Sequence, residues 1–253
     1  MAGRPDVHVA LISGRTVADL VARTRIGGIS YHGDHGAEWA TTRRALRIAS
    51  VQVEREPADP LTAAMAERLK VEVPRLVHEA WLVLEDKGAA LTFHFRAAPD
   101  HAAARERVIA AVDAIDHERL MWRVGGQRAH ELRPVGATTK AVTLSRLIQA
   151  HRPTTTLMLG DDRHDASAFD VLREARESGR TRGLAIAVAG HADVTTEVAP
   201  HADLVLPDPM ETARLLARIA RDTFAQRPNL SEDARCRPQG PGHAPPVRSN
   251  VDC

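Results

Sequence analysis

Three short stretches of the chain could carry chemistry. The densest is Gly160-Asp161-Asp162-Arg163-His164-Asp165, which sets three carboxylates within five residues. Carboxylates this close repel one another unless a cation sits among them, and an all-oxygen set suits Mg2+. An acidic loop in which Asp165 caps the next helix is the plainer alternative. The second stretch is Ser13-Gly14-Arg15. A hydroxyl and free backbone N–H groups ahead of a helix can seat a phosphate, although a simple cap by Ser13 or Thr16 explains the same residues. The third is Lys140, which follows Thr138 and Thr139 and opens a helical pattern. A cation in a first helical turn opposes the helix dipole, so a lysine there suits a neighbouring anion. A solvated lysine is the alternative.

The elements that must position these groups follow from periodicity. Residues 7–12 read as a buried strand running into Ser13. A helix over 16–25 follows, with Val17, Leu20 and Val21 on one face, then a short strand over 29–33. From residue 155 the alternation resumes. A strand over 155–159 precedes the acidic stretch, and a helix over 165–178 follows it. Strands over 183–188 and 203–206 come next, then a helix from Asp208-Pro209 to about Gln226. Such alternation predicts a parallel sheet that binds ligands beyond its carboxyl ends. The middle reads differently. Residues 81–85 and 90–96 flank Asp86-Lys87-Gly88, and residues 121–124 and 128–132 flank Gly125-Gly126, as two hairpins. Helical patterns near 61–70 and 100–116 accompany them. The expected organisation is a core of residues 1–37 and 133–226, an inserted α/β cap over 38–132, and a disordered tail over 227–253.

Composition bounds the partners. A net charge of +1 at pH 7 gives no basic surface for nucleic acid or an anionic membrane. No apolar run is long enough for a transmembrane helix and no leader is recognisable, so a cytoplasmic protein is expected. Cys236 and Cys253, both near the carboxyl end, define no disulfide or metal framework. Of 34 Lys and Arg residues only Lys70, Lys87 and Lys140 are lysines. Retained lysines in an arginine-rich chain favour roles that a planar guanidinium cannot fill.

In order and spacing, three stretches resemble the second, third and fourth motifs of haloacid-dehalogenase-like phosphatases. They are Val9-Ala10-Leu11-Ile12-Ser13-Gly14-Arg15, Lys140, and Gly160-Asp161-Asp162 with Asp165 and Ala168-Phe169. Further stretches narrow the likeness to the trehalose-6-phosphate phosphatase family over about residues 7–222. These are Tyr31-His32-Gly33-Asp34-His35-Gly36-Ala37-Glu38, Glu85 with Lys87, Phe93-His94-Phe95-Arg96 and Glu131-Leu132-Arg133-Pro134. The resemblance implies a Rossmann-like parallel-sheet core with an inserted α/β cap. It implies an Mg2+-dependent phosphomonoester hydrolase that converts trehalose 6-phosphate, a small sugar phosphate, to trehalose in trehalose biosynthesis. By resemblance, Ser13 and Lys140 hold the phosphoryl group, Lys140 also restrains the nucleophile, and Asp161, Asp162 and Asp165 form the metal set. Arg15, His35, Glu38, Glu85, Lys87, His94, Arg96 and Glu131 are the implied substrate-binding residues.

The family's first motif, Asp-x-Asp-Gly, supplies its aspartyl nucleophile and its acid–base carboxylate, and no Asp-x-Asp occurs in these 253 residues. In the family that motif ends a central strand that precedes the Ser13 stretch. The expectation is therefore a core without its first, central strand. Either the chain begins inside the true protein or it is a truncated paralogue, and as written it is inactive. His164, Ala166-Ser167 and Ala141 also depart from the family pattern. Two alternatives remain open. One is a non-catalytic sugar-phosphate-binding or regulatory subunit, held by a trehalose-phosphate synthase; the other is a phosphatase for a related sugar phosphate.

Overall fold

A computed structural model of the protein describes residues 6–45, 51–125, 128–190 and 197–225. The expected disordered tail, and Gly126 of the second hairpin, lie outside these residues. By contacts the chain divides into two units, 1–213 and 214–253. Among the described residues no helix is long and apolar enough to cross a membrane.

Among the described residues the first unit holds three sheets. In the first, β1 (Ala10–Ile12) runs parallel to β2 (Ser30–Gly33), Ala10 opposite Ser30 and Ile12 opposite His32. Between them α1 (Val17–Thr24) makes the crossover. Thr16 caps it, accepting the Asp19 N–H, and Arg25 ends it in the left-handed conformation. Val17, Leu20 and Val21 are buried against Ile29, Tyr31 and Ala40, the face that the periodicity predicts.

The chain then turns through a short 3-10 segment, Asp34–Gly36, and β3 (Glu38–Thr41) returns antiparallel to β2. β4 (Glu54–Arg55) pairs with β3. Residues 38–41 and 54–55 therefore extend the first sheet, where the sequence led us to expect the start of the inserted cap. The reversal rests on left-handed Asp34 and His35 (φ 45° and 59°) and on Gly36 (φ 113°). Asp, His and Gly tolerate that region better than most residues. A Cβ at position 36 would lie 1.8 Å from Thr143 Oγ1. Gly36→Ala is therefore expected to lose about 1–3 kcal/mol from backbone strain alone, before any clash, as urea denaturation would show. A loss below about 0.5 kcal/mol would contradict this geometry.

The inserted α/β layer is an antiparallel sheet of order β5-β6-β8-β7. Its strands are β5 (Val83–Asp86), β6 (Leu91–His94), β7 (Met121–Gly125) and β8 (Ala129–Pro134). Helices α2 (Pro60–Val77) and α3 (His101–Ile115) cover it, burying Leu69, Val73, Phe93, Phe95, Val108, Val112 and Leu132. Each such side chain contributes about 1.5–3 kcal/mol on burial. α2 runs past residue 70, where the sequence reading stopped, and through Pro74. Core burial of Val73 and Val77 outweighs the backbone hydrogen bond that proline forfeits.

The third sheet is parallel, of order β11-β10-β9. It comprises β9 (Thr155–Gly160), β10 (Arg182–Val188) and β11 (Leu204–Leu206). α4 (Lys140–His151) and α5 (Arg163–Glu177) pack on it through Leu144, Ile148, Phe169 and Leu172. α6 (Pro209–Ala225) is the last described element.

Among the described residues no strand pairs with the outer edge of β1 or of β9. A groove of about 260 Å3 touches both strands, lined by Ala10 and Ile12 on β1, Thr155, Leu157 and Met158 on β9, and Leu144 and Ile148 of α4. This is the place where the resemblance leads one to expect a central strand.

Candidate active site

The end of β1 turns sharply into α1. Ser13 N–H donates to the His32 carbonyl (2.9 Å), and the Ser13 carbonyl accepts from His35 N–H (2.8 Å). Ser13 Oγ accepts the Arg15 N–H (3.2 Å), as a local turn cap would. The His35 ring lies on Gly14, so close that a Cβ there would sit 2.8 Å from Nε2. The Arg15 side chain runs along α1 to Asp19 (2.9 Å) and is exposed.

The Asp34–Gly36 turn is pinned from two sides. Thr143 Oγ1 donates to the His35 carbonyl (2.9 Å). The buried Arg133 guanidinium donates to the Asp34 carbonyl (3.1 Å) and to that of Thr138 (2.8 Å). Burial pushes the Asp34 carboxyl above its ordinary range, against the opposing pull of Arg133 and Lys87. Burial, with the nearby charges of Arg133, His164, Lys140 and Lys87, lowers His35 to about 2. Its imidazole is neutral at any physiological pH.

Lys87, at the tip of the β5–β6 hairpin, reaches back to the first sheet. Its Nζ donates to the Gly14 carbonyl (3.1 Å) and to Glu131 Oε1 (3.2 Å). Cross-strand register places Glu85, Thr92 and Glu131 in one row. His94, two residues beyond Thr92, shares that face and meets Glu85 Oε2 at 2.8 Å. Arg96 is exposed, its carbonyl accepting from His101. Glu38 is elsewhere: its buried carboxylate accepts the Val17 N–H at the start of α1 and the Arg55 Nε–H (3.0 Å). Of the eight residues named for substrate, His35, Lys87 and Glu131 gather beside Gly14. Glu85 and His94 lie on the same sheet face as Glu131, Arg15 points away, and Glu38 closes a helix end.

The acidic stretch begins α5. Asp162, not Asp165, is the N-cap, because the helix starts two residues earlier than periodicity suggests. Asp162 Oδ1 accepts from His164 N–H (2.7 Å) and Asp165 N–H (3.0 Å). Asp165 Oδ2 returns the bond to the Asp162 N–H (3.2 Å), completing a capping box. Lys140, 5% exposed, donates to Asp162 Oδ2 (2.9 Å) and Asp165 Oδ1 (2.8 Å). Burial disfavours its charge, but the two carboxylates outweigh burial and hold the ammonium above its ordinary value. Burial raises the Asp165 carboxyl. For Asp162, Lys140 overcomes burial and the net direction is down. Carboxylate oxygens of Asp161, Asp162 and Asp165 all lie within 4.8 Å of one another. Asp161 is exposed, and among the described residues no hydrogen bond engages its carboxylate. An oxygen-only set with one uncommitted carboxylate fits a hard divalent cation.

Two neighbours add to the sequence reading. The His164 ring meets His35 edge to face, centroids 4.7 Å apart, and so joins the acidic loop to the Ser13 turn. Arg133 stands in the Glu131–Pro134 stretch that the resemblance marks, but among 31 arginines no signal in the sequence assigned it a role at the site.

Solved structures share this fold. The trehalose-6-phosphate phosphatase C-terminal domain of Candida albicans superposes with a TM-score of 0.62 at 20% identity, over 85% of this chain and 78% of that one. A trehalose-6-phosphate phosphatase of Aspergillus fumigatus gives 0.55 at 22%, over 87% and 80%. The architecture is the α/β fold that these solved phosphatases share. Sequence comparison is narrower. The trehalose-phosphatase family model matches residues 1–200. The trehalose-phosphate phosphatase of Mycobacterium avium (strain 104) is 31% identical over 220 residues, 84% of this chain and 52% of that protein. The chain belongs to the trehalose-phosphatase family. It spans about half the length of the mycobacterial relatives it matches.

Proposed function

We propose that this chain is the sugar-phosphate-binding part of an Mg2+-dependent, cytoplasmic trehalose-6-phosphate phosphatase. The attacking carboxylate is not among its 253 residues. The observation that carries the reading is the meeting of Lys87 with Gly14 and Glu131, which sets a hairpin-tip ammonium against the Ser13 turn. Family membership supplies the substrate class.

Each group then has a task. Lys140 spends two of its three donors on Asp162 and Asp165, leaving one for a phosphoryl oxygen. Ser13 and the backbone at the start of α1 offer further donors. Asp161 would hold Mg2+ with Asp162 and Asp165 behind it, and the ion would neutralise phosphoryl oxygens during transfer. Glu85, Lys87, His94 and Glu131 suit vicinal hydroxyls of the sugar, with Arg96 at the margin. Arg15 and Glu38 are engaged elsewhere.

A second reading has one observation in its favour. The outer edges of β1 and β9 are unpaired among the described residues and flank one groove. A non-catalytic subunit held by a trehalose-phosphate synthase could keep that form. Calorimetry and phosphate release with trehalose 6-phosphate and Mg2+ separate the readings. We expect binding that weakens at least about tenfold in Lys87→Met and no release by the chain alone. Release should appear once the relative's Asp-x-Asp strand is fused ahead of residue 6. Failure to bind refutes the sugar-phosphate reading, and binding without release after fusion favours the subunit. Turnover by the unfused chain, lost on Asp161→Ala, refutes the external carboxylate.

A further inference from the structure

We propose that Asp34, His35 and Glu131 form a second metal site, one that prefers borderline cations such as Zn2+ to Mg2+. Each residue offers a ligand atom, and the three atoms lie within 4.8 Å of one another. Asp34 and His35 are 7% and 4% exposed, and Asp34 Oδ1 and His35 Nδ1 have no hydrogen-bond partner among the described residues. Buried polar atoms are nearly always satisfied, so two orphans beside a third potential ligand mark a place built for a guest. The left-handed turn fixes both side chains: Thr143 and Arg133 hold its carbonyls.

The donor set decides which cation. One imidazole nitrogen and two carboxylates match the ligands of Zn2+ and its neighbours, whereas Mg2+ seeks oxygen alone. The Asp161–Asp165 set contributes no nitrogen. The two sites therefore sort cations by hardness, a property that holds whether or not the chain is a phosphatase.

Two resident cations oppose the guest. Lys87 sits 3.2 Å from Glu131, and Arg133 lies 3.7 Å from Asp34 Oδ1. Arg133 is fixed by two backbone carbonyls. Lys87 is on a flexible stem and must leave Glu131 for the metal to enter. Removing that ammonium should tighten binding, which a merely structural ion pair would not do.

The test uses Co2+ as a coloured stand-in on the full chain. We expect a visible d–d absorption band on adding Co2+, abolished by Zn2+ and untouched by excess Mg2+. Asp34→Asn and Glu131→Gln should each weaken binding at least about tenfold, Lys87→Met should strengthen it, and Asp161→Asn should leave it unchanged. Absence of the band overturns the proposal. So does a band that Mg2+ displaces, or one that vanishes with Asp161→Asn while persisting in Asp34→Asn. Should the Asp34 or Glu131 variants fail to fold, the Lys87 and Asp161 variants still decide it.

Discussion

Replacing Lys140 with methionine should destabilise the protein by about 3–5 kcal/mol, the cost of stranding buried charge without its partner. Among the described residues the ammonium is the only cation bonded to both Asp162 and Asp165, and Asp165 is 3% exposed. Without it two carboxylates face each other across the start of α5. A folded-state pKa raised by these partners makes the contribution complete below the lysine's unfolded value. It is lost only as pH rises through the folded value, so physiological pH shows the full effect. Asp165 has the opposite sensitivity: burial raises its pKa, so acid favours the fold that contains it. Lys140→Met should therefore recover stability as pH falls toward the range where Asp165 takes a proton. Adding Asp165→Asn should recover much of the loss at neutral pH. Urea denaturation of the single and double variants measures both, and equal losses in the two would refute a charge-based account.

Much of the scaffold was legible because its signals are local. Val17, Leu20 and Val21 announce one helical face, Asp86-Lys87-Gly88 announces a hairpin, and Asp208-Pro209 announces a helix start. Lys140 was legible only in part, since a cation in a first helical turn suits a neighbouring anion but a solvated lysine fits the same residues. What stayed hidden was contact across sequence distance. Glu38 matches a family pattern, yet its side chain is spent on Val17 N–H, 21 residues away. Nothing in residues 34–41 says that the strand after the turn folds back onto β2, because a four-residue strand carries too short an alternation. The acidic stretch shows a subtler limit. Composition said that Asp161, Asp162 and Asp165 share a loop. Only geometry shows two of them tied to a capping box and a lysine, with Asp161 left over.

Acid should unfold this protein early, and His35 should be a principal cause. Burial and nearby cations lower its folded pKa to about 2, while the unfolded chain titrates near 6.5. A histidine with a depressed folded pKa binds its proton only on unfolding. Its stabilising contribution is whole above the unfolded value and drains away as pH falls below it. Between pH 7 and pH 5 this linkage alone removes about 2 kcal/mol. His32, lowered to about 4, and His8 act in the same direction. For both, burial is the first cause and charge among His8, His32 and His151 adds to it. A domain stable by about 5–15 kcal/mol cannot absorb several such losses. Urea midpoints at pH 7 and 5, with chelator present, should show a steep fall. His35→Phe should flatten that fall by about 2 kcal/mol whatever it does to stability at pH 7, because it removes the titration and not merely a contact. An unchanged pH slope in His35→Phe would mean that the imidazole is reachable by solvent in the native state. The packing of its ring against Gly14 and His164 would then have to be discarded.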